Sequence, residues 1–181
     1  MTKNLDQTGL KRLHREWRRR TSQRVAVVLD SVQTPYNVGT IVRTAAALGV
    51  DHLWLVGATE SPMHAKTNKT ALGTQRYVDW TPIDEPGDAI RAAREAGYLV
   101  VGVELADDAV PLYDIDLHAD VCFVVGHEDR GLSKDALAGC DVIGYLPQVG
   151  KVGSLNVAVA ASIAISEARR QGWESGGALR A

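Results

Sequence analysis

Three short stretches of this chain gather residues able to do chemistry. The first reads Asn37-Val38-Gly39-Thr40-Ile41-Val42-Arg43. Its asparagine and arginine stand six positions apart, close to two helical turns, so they lie near one face without stacking. An arginine in the first turns of a helix is unexpected, because the positive end of the helix dipole disfavours a cation there. A surface ion pair accounts for it, and so does a catalytic role. The second stretch, Gly126-His127-Glu128-Asp129-Arg130-Gly131-Leu132-Ser133, holds charged residues between two glycines. That suits a tight turn whose backbone comes close to another group, although a plain strand-to-helix turn has the same look. The third, Gln148-Val149-Gly150-Lys151-Val152-Gly153-Ser154-Leu155-Asn156, is a glycine-containing loop that leads into a helix. Helix capping explains Ser154 or Asn156, and a binding role explains them equally.

Several other chemistries lack their residues. Neither GxGxxG nor GxxxxGK[ST] occurs, which argues against dinucleotide and ATP sites of the common kinds. Cys122 and Cys140 form no CxxC pair, and the five histidines have no HExxH spacing, so no metal is expected. Cys122 lies in the apolar run Val121–Val125 and reads as a small buried thiol. The residues alone lead to an α/β enzyme with a small-molecule site built by strand-end loops.

The elements that must position these loops are marked by continuous apolar runs. Val25–Leu29, His52–Val56, Tyr98–Val103, Val121–Val125 and Val142–Leu146 have strand length, with a weaker case at Arg76–Trp80. Runs apolar throughout suit strands buried on both faces, as in a parallel sheet. Helices are predicted between them: Asn37–Leu48, one opening at Ser61-Pro62, Pro86–Ala96, one capped by Ser133 through Ala138, and Ser154–Gln171. Alternation of strand and helix predicts a single α/β domain, its parallel sheet covered by helices on both faces. Ligands in such sheets bind beyond the carboxyl ends of the strands, where all three stretches fall.

With 181 residues, 45% hydrophobic and 23% charged, the composition is that of an ordinary globular domain. No apolar run approaches the roughly 20 residues that cross a bilayer. The start is polar and basic rather than signal-like, so a cytoplasmic protein with no membrane contact is expected. Net charge is only −2, but residues 1–24 hold eight Lys and Arg against two acidic residues. This basic extension, with a helix predicted over 5–20, carries Leu10, Leu13 and Trp17 along a stripe for docking. It leaves Arg12, Arg15, Arg18, Arg19 and Arg20 for an RNA backbone or simply for solvent. The body is read as 25–172, and 173–181 as a flexible tail with Ser175-Gly176-Gly177.

Taken together, the three stretches resemble the SpoU (TrmH-like) branch of the SPOUT RNA 2′-O-ribose methyltransferases. The resemblance rests on Asn37, Gly39 and Arg43 in the first, Gly126-x-Glu128-x-x-Gly131-Leu132 in the second, and Leu146-Pro147 followed by Ser154-Leu155-Asn156-Val157-Ala158-Val159-Ala160 in the third. Their order and spacing match over about residues 25–171. The resemblance implies S-adenosylmethionine as methyl donor, a deep C-terminal trefoil knot forming its site, and a homodimer with each site near the subunit interface. Donor-binding residues would be Val103, Glu104, Gly126, Leu146, Ser154 and Leu155.

Arg43 would be the catalytic residue, acting on the ribose 2′-hydroxyl, and Asn37 would help position it. Glu128 would hold the second turn and an arginine network, while Ser154 and Asn156 would complete the pocket. RNA is the implied partner. A tRNA acceptor is the first expectation, because the short basic extension looks like those of tRNA-directed members, with guanosine preferred because Gly153-Ser154-Leu155-Asn156 looks closer to guanosine-methylating members. Ribosomal RNA, including resistance-type methylation, is the alternative, and a non-catalytic RNA-binding member is a third.

Overall fold

Each continuous apolar run becomes a strand of one sheet, because a run without a polar side must be covered on both faces. A computed structural model describes residues 2–175 of the chain. The strands are β1 (Val25–Asp30), β2 (His52–Val56), β3 (Asp79–Ile83), β4 (Leu99–Val103), β5 (Val110–Pro111), β6 (Val121–Val125) and β7 (Val142–Tyr145). They form a seven-stranded sheet in the order β3-β2-β1-β6-β4-β7-β5, and every pairing is parallel. Val25 stands opposite Val121, and Leu99 is opposite the same residue from the other side.

The helices are α1 (Gln7–Arg18), α2 (Pro35–Leu48), α3 (Ala65–Ala71), α4 (Pro86–Glu95), α5 (Lys134–Gly139) and α6 (Val157–Ser175). Alternation along β1 separates two cores, as a period of two requires. Val25, Val27 and Leu29 pack with Ile41 and Val42 of α2 and Ala161 and Ile165 of α6. Ala26 and Val28 pack with Ala89 and Ile90 of α4 and Ala136 of α5. Cys122 is fully buried in this second core, and burial pushes its thiol pKa well up. The single α/β domain with helices on both faces is as expected.

Two buried side chains of α6 tie down distant backbone. Arg169, only 5% exposed, donates to the carbonyls of Leu48 at 2.8 Å and Gln23 at 2.6 Å and to that of Gly49. Gln171 accepts from the Leu117 amide at 2.9 Å and donates to the Ile115 carbonyl at 3.2 Å. The long β4-to-β6 connection is thereby held along α6.

The structure corrects several boundaries. Over 74–77 the chain makes a short helical turn, its Thr74 hydroxyl donating to the Ala71 carbonyl at 2.6 Å, so the strand starts later, at Asp79. Ser61 does not cap a helix. Its hydroxyl accepts from the Met63 amide at 3.1 Å in a turn, and His64 caps α3 instead. The stripe on α1 does not dock as predicted: Leu10 and Leu13 are 44% and 38% exposed, and α1 buries no residue.

Only Trp17 of that stripe finds a partner, Trp173, with ring centroids 4.7 Å apart. Trp173 therefore belongs to α6 rather than to a tail, and the rest of the tail expectation, residues 176–181, lies outside the described residues. Gly172 does not stop the helix. It is a point of close approach, where a methyl group would overlap the Gln23 side chain. Residues 21–24 are equally part of the body. Arg24 donates to both carboxylate oxygens of Asp120, from its amide at 2.7 Å and its Nε at 2.8 Å.

Candidate active site

The carboxyl ends of β4, β6 and β7 surround a cleft of about 290 Å³. All six residues expected to hold a methyl donor line it: Val103 and Glu104 from β4, Gly126 after β6, Leu146 after β7, and Ser154 and Leu155 before α6. Glu128 lines it as well. Glu104 accepts from the amides of Leu105 and Leu132, both at 2.9 Å, and so pins the second stretch against the end of β4. In that stretch His127 and Gly131 exchange backbone hydrogen bonds at 3.0 and 2.9 Å. Gly126 is buried beneath them, and a methyl group there would overlap the Gly131 carbonyl and the Leu132 nitrogen. The glycines of this stretch thus serve a turn closed on itself at the cleft wall.

At the mouth, one chain of hydrogen bonds joins all three stretches. Glu128 accepts at 2.9 Å from the Thr34 amide and from the Asn37 side chain, and at 3.3 Å from the Gln33 amide. Asn37 accepts in turn from the side-chain amide of Asn156 at 2.9 Å. Asn156 then caps α6, its side-chain oxygen accepting from the amides of Ala158 at 2.9 Å and Val159 at 3.3 Å. Of the two roles that the sequence left open for Asn156, the structure shows the cap, and its side-chain amide also joins α6 to Asn37. Ser154 lines the cleft but does not cap α6, which starts at Val157.

Burial pushes the Glu128 carboxyl pKa up. The hydrogen bonds from Asn37 and Thr34 outweigh this and hold it down at about 2. A depressed carboxylate stabilises the fold above its ordinary value and loses that contribution as pH falls toward the folded one. The melting-temperature gap between wild type and Glu128→Gln is therefore expected to be full above pH 5 and to close between about pH 4.5 and 2. Thermal melts at stepped pH check this, and a gap that widens on acidification contradicts it.

Arg43 is elsewhere. Six residues beyond Asn37, it lies about 9 Å further along α2, exposed, in a separate groove with Thr40, Thr44, Ala47, Lys69 and Thr70. Neither Asn37 nor Glu128 bonds to it. The predicted arginine network around Glu128 is replaced by backbone and asparagine contacts, because Glu128 faces the start of α2 rather than its middle.

The basic helix α1 is further away still. The cavity beneath it is lined by Leu13, Trp17, Gln23, Arg24 and Asp51, at the amino ends of β1 and β2. Arg12, Arg15, Arg18 and Arg19 are exposed there. Arg20 instead pairs with Glu16 at 2.7 Å and sits over the Trp17 ring at 4.2 Å.

Two polar residues carry weight that sequence reasoning missed. Asp30, buried at the end of β1, accepts from the Ser133 amide at 2.8 Å and fixes the start of α5. Gln148 lines the cleft, and its buried Oε1 has no hydrogen-bond partner. A charged residue closing an apolar run was the signal for Asp30, whereas nothing in the sequence distinguished Gln148. Among the described residues no group of three or more His, Cys, Asp or Glu could hold a metal, and no helix is long and apolar enough to cross a membrane.

Comparison with known proteins completes the picture. The model of the SpoU rRNA methylase family matches residues 24–166, which include every element of the cleft and the mouth. The chain belongs to the SpoU family. Among its SpoU relatives is the tRNA (guanosine(18)-2′-O)-methyltransferase of Escherichia coli K12, 33% identical over 156 residues, or 86% of this chain and 67% of that enzyme. The 23S rRNA (guanosine-2′-O-)-methyltransferase RlmB of Neisseria meningitidis is 29% identical over 145 residues, 80% of this chain and 58% of that one. An AdoMet-bound rRNA methyltransferase from Sinorhizobium meliloti superposes with a TM-score of 0.77 at 34% identity, covering 83% of this chain and 57% of that one. The chain thus spans about two thirds of the Escherichia coli enzyme and less than 60% of the other two.

Proposed function

We propose that this SpoU-family chain transfers the methyl group of S-adenosylmethionine to a ribose 2′-hydroxyl of RNA in the cytoplasm, with guanosine in tRNA as the preferred acceptor. The observation that carries this reading is the Glu128–Asn37–Asn156 hydrogen-bond chain, which ties all three stretches together at the mouth of one cleft. The cleft fits the donor chemically. Glu104, Glu128 and Asp129 put carboxylates on its wall, complementary to a sulfonium cation, and Leu146, Leu155 and Val157 offer apolar surface to a flat ring. The unpaired Oε1 of Gln148 is an acceptor awaiting an N–H, and leaving it unmatched costs about 1–3 kcal/mol.

The donor supplies an electrophilic methyl group for direct displacement, so the protein's task is positioning. Asn37 and Asn156, locked by Glu128, fix the mouth through which the hydroxyl enters. Ser154 and Leu155 close the cleft on the α6 side. Arg43 cannot act as an unaided base, because its guanidinium stays protonated. It holds the polar groups of the ribose or its phosphate. Since Arg43 lies outside the cleft of its own chain, we assign it to the cleft of a second copy in a homodimer. The β4-to-β6 connection lying along α6 is the segment we assign to the trefoil knot.

The test is transfer of labelled methyl from S-adenosylmethionine to unmodified bulk tRNA and, in parallel, to ribosomal RNA. Label on tRNA is expected. Label confined to ribosomal RNA overturns the tRNA assignment in favour of the reading suggested by RlmB, and label on neither overturns the activity. Gly126→Ala should lower donor affinity in calorimetry by about tenfold or more, equivalent to about 1.4 kcal/mol, because its methyl displaces the turn that forms the wall. Unchanged affinity removes the wall from the donor site.

A further inference from the structure

Most arginines of the described body are neutralised where they stand. Arg24 meets Asp120 at 2.8 Å, Arg94 meets Asp141 at 2.7 Å, and Arg170 meets both Glu167 at 2.7 Å and Glu174 at 2.6 Å. Arg43 and Lys69 differ. Both are exposed, neither has an ion pair or a side-chain hydrogen bond among the described residues, and both line one groove with no acidic residue in it. Two uncompensated like charges sharing a groove repel each other and raise the local positive potential. An anion between them removes that cost.

Helix packing puts them there. Thr40, Arg43, Thr44 and Ala47 follow the three-and-four spacing of one face of α2. Lys69 and Thr70 come from α3, which lies directly on α2 because Gly39 has no side chain: a methyl there would overlap the Thr70 hydroxyl and the Thr67 carbonyl. The hydroxyls of Thr40 and Thr70 both donate to the Tyr36 carbonyl, at 2.8 and 3.3 Å, which locks the seam. Tyr36 itself is 51% exposed, next to Asn37 of the mouth network. The seam thus starts beside Tyr36 and Asn37 and ends at the cation pair, in a groove whose lining carries no acidic residue.

We infer that the seam between α2 and α3 is a phosphate site for the RNA backbone, with Lys69 as the binding residue that shares a phosphate with Arg43. This rests on the reading of RNA as substrate. It assigns the main backbone contact to the seam and not to the arginines of α1, which lie at the opposite end of the sheet from the cleft.

The test uses the full chain, with bulk tRNA bound across a salt series and donor binding followed by calorimetry. Lys69→Ala is expected to flatten the dependence of log K on log salt by about 0.9, or ~0.7 for a single strand, the loss of one phosphate contact. Lys69→Arg should keep the slope, and Lys134→Ala, on α5 across the sheet, should match wild type. In turnover, Lys69→Ala should raise KM for RNA while kcat and donor affinity stay level. An unchanged slope in Lys69→Ala, with wild type still binding RNA, overturns the phosphate site alone. Wild type that binds no RNA in any salt overturns the substrate reading along with it.

Discussion

Replacing Arg169 by leucine is expected to lower the melting temperature by on the order of 10 °C. The guanidinium is 5% exposed and serves three carbonyls, those of Gln23, Leu48 and Gly49. Two of these belong to the C-terminal end of α2, where helix geometry leaves carbonyls without partners and favours a cation. Burial lowers the arginine's pKa below its ordinary value, while Asp51, with an oxygen 3.9 Å away, pulls the other way. Each carbonyl left buried without a donor costs about 1–3 kcal/mol, so losing the donor to all three costs at least about 3 kcal/mol. In a chain of this size each kcal/mol moves the midpoint by about 2–4 °C. Lysine should recover part of the loss, since one ammonium reaches fewer of the three acceptors. Thermal unfolding of both variants decides it, and a leucine variant melting within about 2 °C of wild type would show that the carbonyls find other partners.

That staple also bears on the site, because α2 carries Asn37 and α6 is capped by Asn156. Their 2.9 Å contact depends on the two helices keeping their relative position, which the Thr44–Ser162 hydroxyl pair at 3.0 Å and Arg169 maintain at successive points along α6. None of this was visible in the sequence. Nothing in the sequence sets Arg169 apart, and only tertiary structure shows that it points at the end of another helix.

Five of the seven strands were legible because a parallel sheet covered on both faces demands unbroken apolar runs; the largely exposed β3 starts later than its run suggested, and the two-residue β5 was not read at all. Helix ends were less so. Gly172 reads as a stop by propensity, but α6 runs through it and there passes close to the Gln23 side chain. Ser61-Pro62 has the form of a helix start, but the serine spends its hydroxyl on a turn instead. The stripe Leu10-Leu13-Trp17 has correct helical spacing, and spacing says nothing about whether a surface lies opposite it.

For the site, residue types and order led no further than the strand-end loops; it was the resemblance to the SpoU branch that singled out Val103, Glu104, Gly126, Leu146, Ser154 and Leu155, which line one cleft. What order cannot encode is the distance from Arg43 to that cleft, or the lone acceptor of Gln148.

Arg43→Ala should reduce methyl transfer by about 10²–10⁴, the range for a group that handles the proton or its oxygen in the transition state. Its donor affinity should match wild type, because the arginine lies outside its own chain's donor cleft and is assigned to the ribose or phosphate of the acceptor in the partner's. Lysine should restore little, since a point charge cannot reproduce the planar fork of a guanidinium. The placement of Arg43 also makes a sharper forecast. If it serves the cleft of a partner, a dimer of one Arg43→Ala subunit and one Gly126→Ala subunit keeps one intact combination: the sound cleft of the first and the sound arginine of the second. Coexpression in equal amounts makes half the dimers mixed, each with one working site of two, so roughly a quarter of wild-type turnover should return. With the donor held well below the Kd of Gly126→Ala, Arg43→Ala alone should remain near zero and Gly126→Ala alone at about a tenth of wild type or less. If mixed dimers stay as inactive as their parents, Arg43 must reach its own cleft, by swinging its long side chain or by a shift of α2 on binding RNA. A fall in donor affinity in Arg43→Ala would instead place the guanidinium on the donor, and the present separation of groove from cleft would not describe the working enzyme.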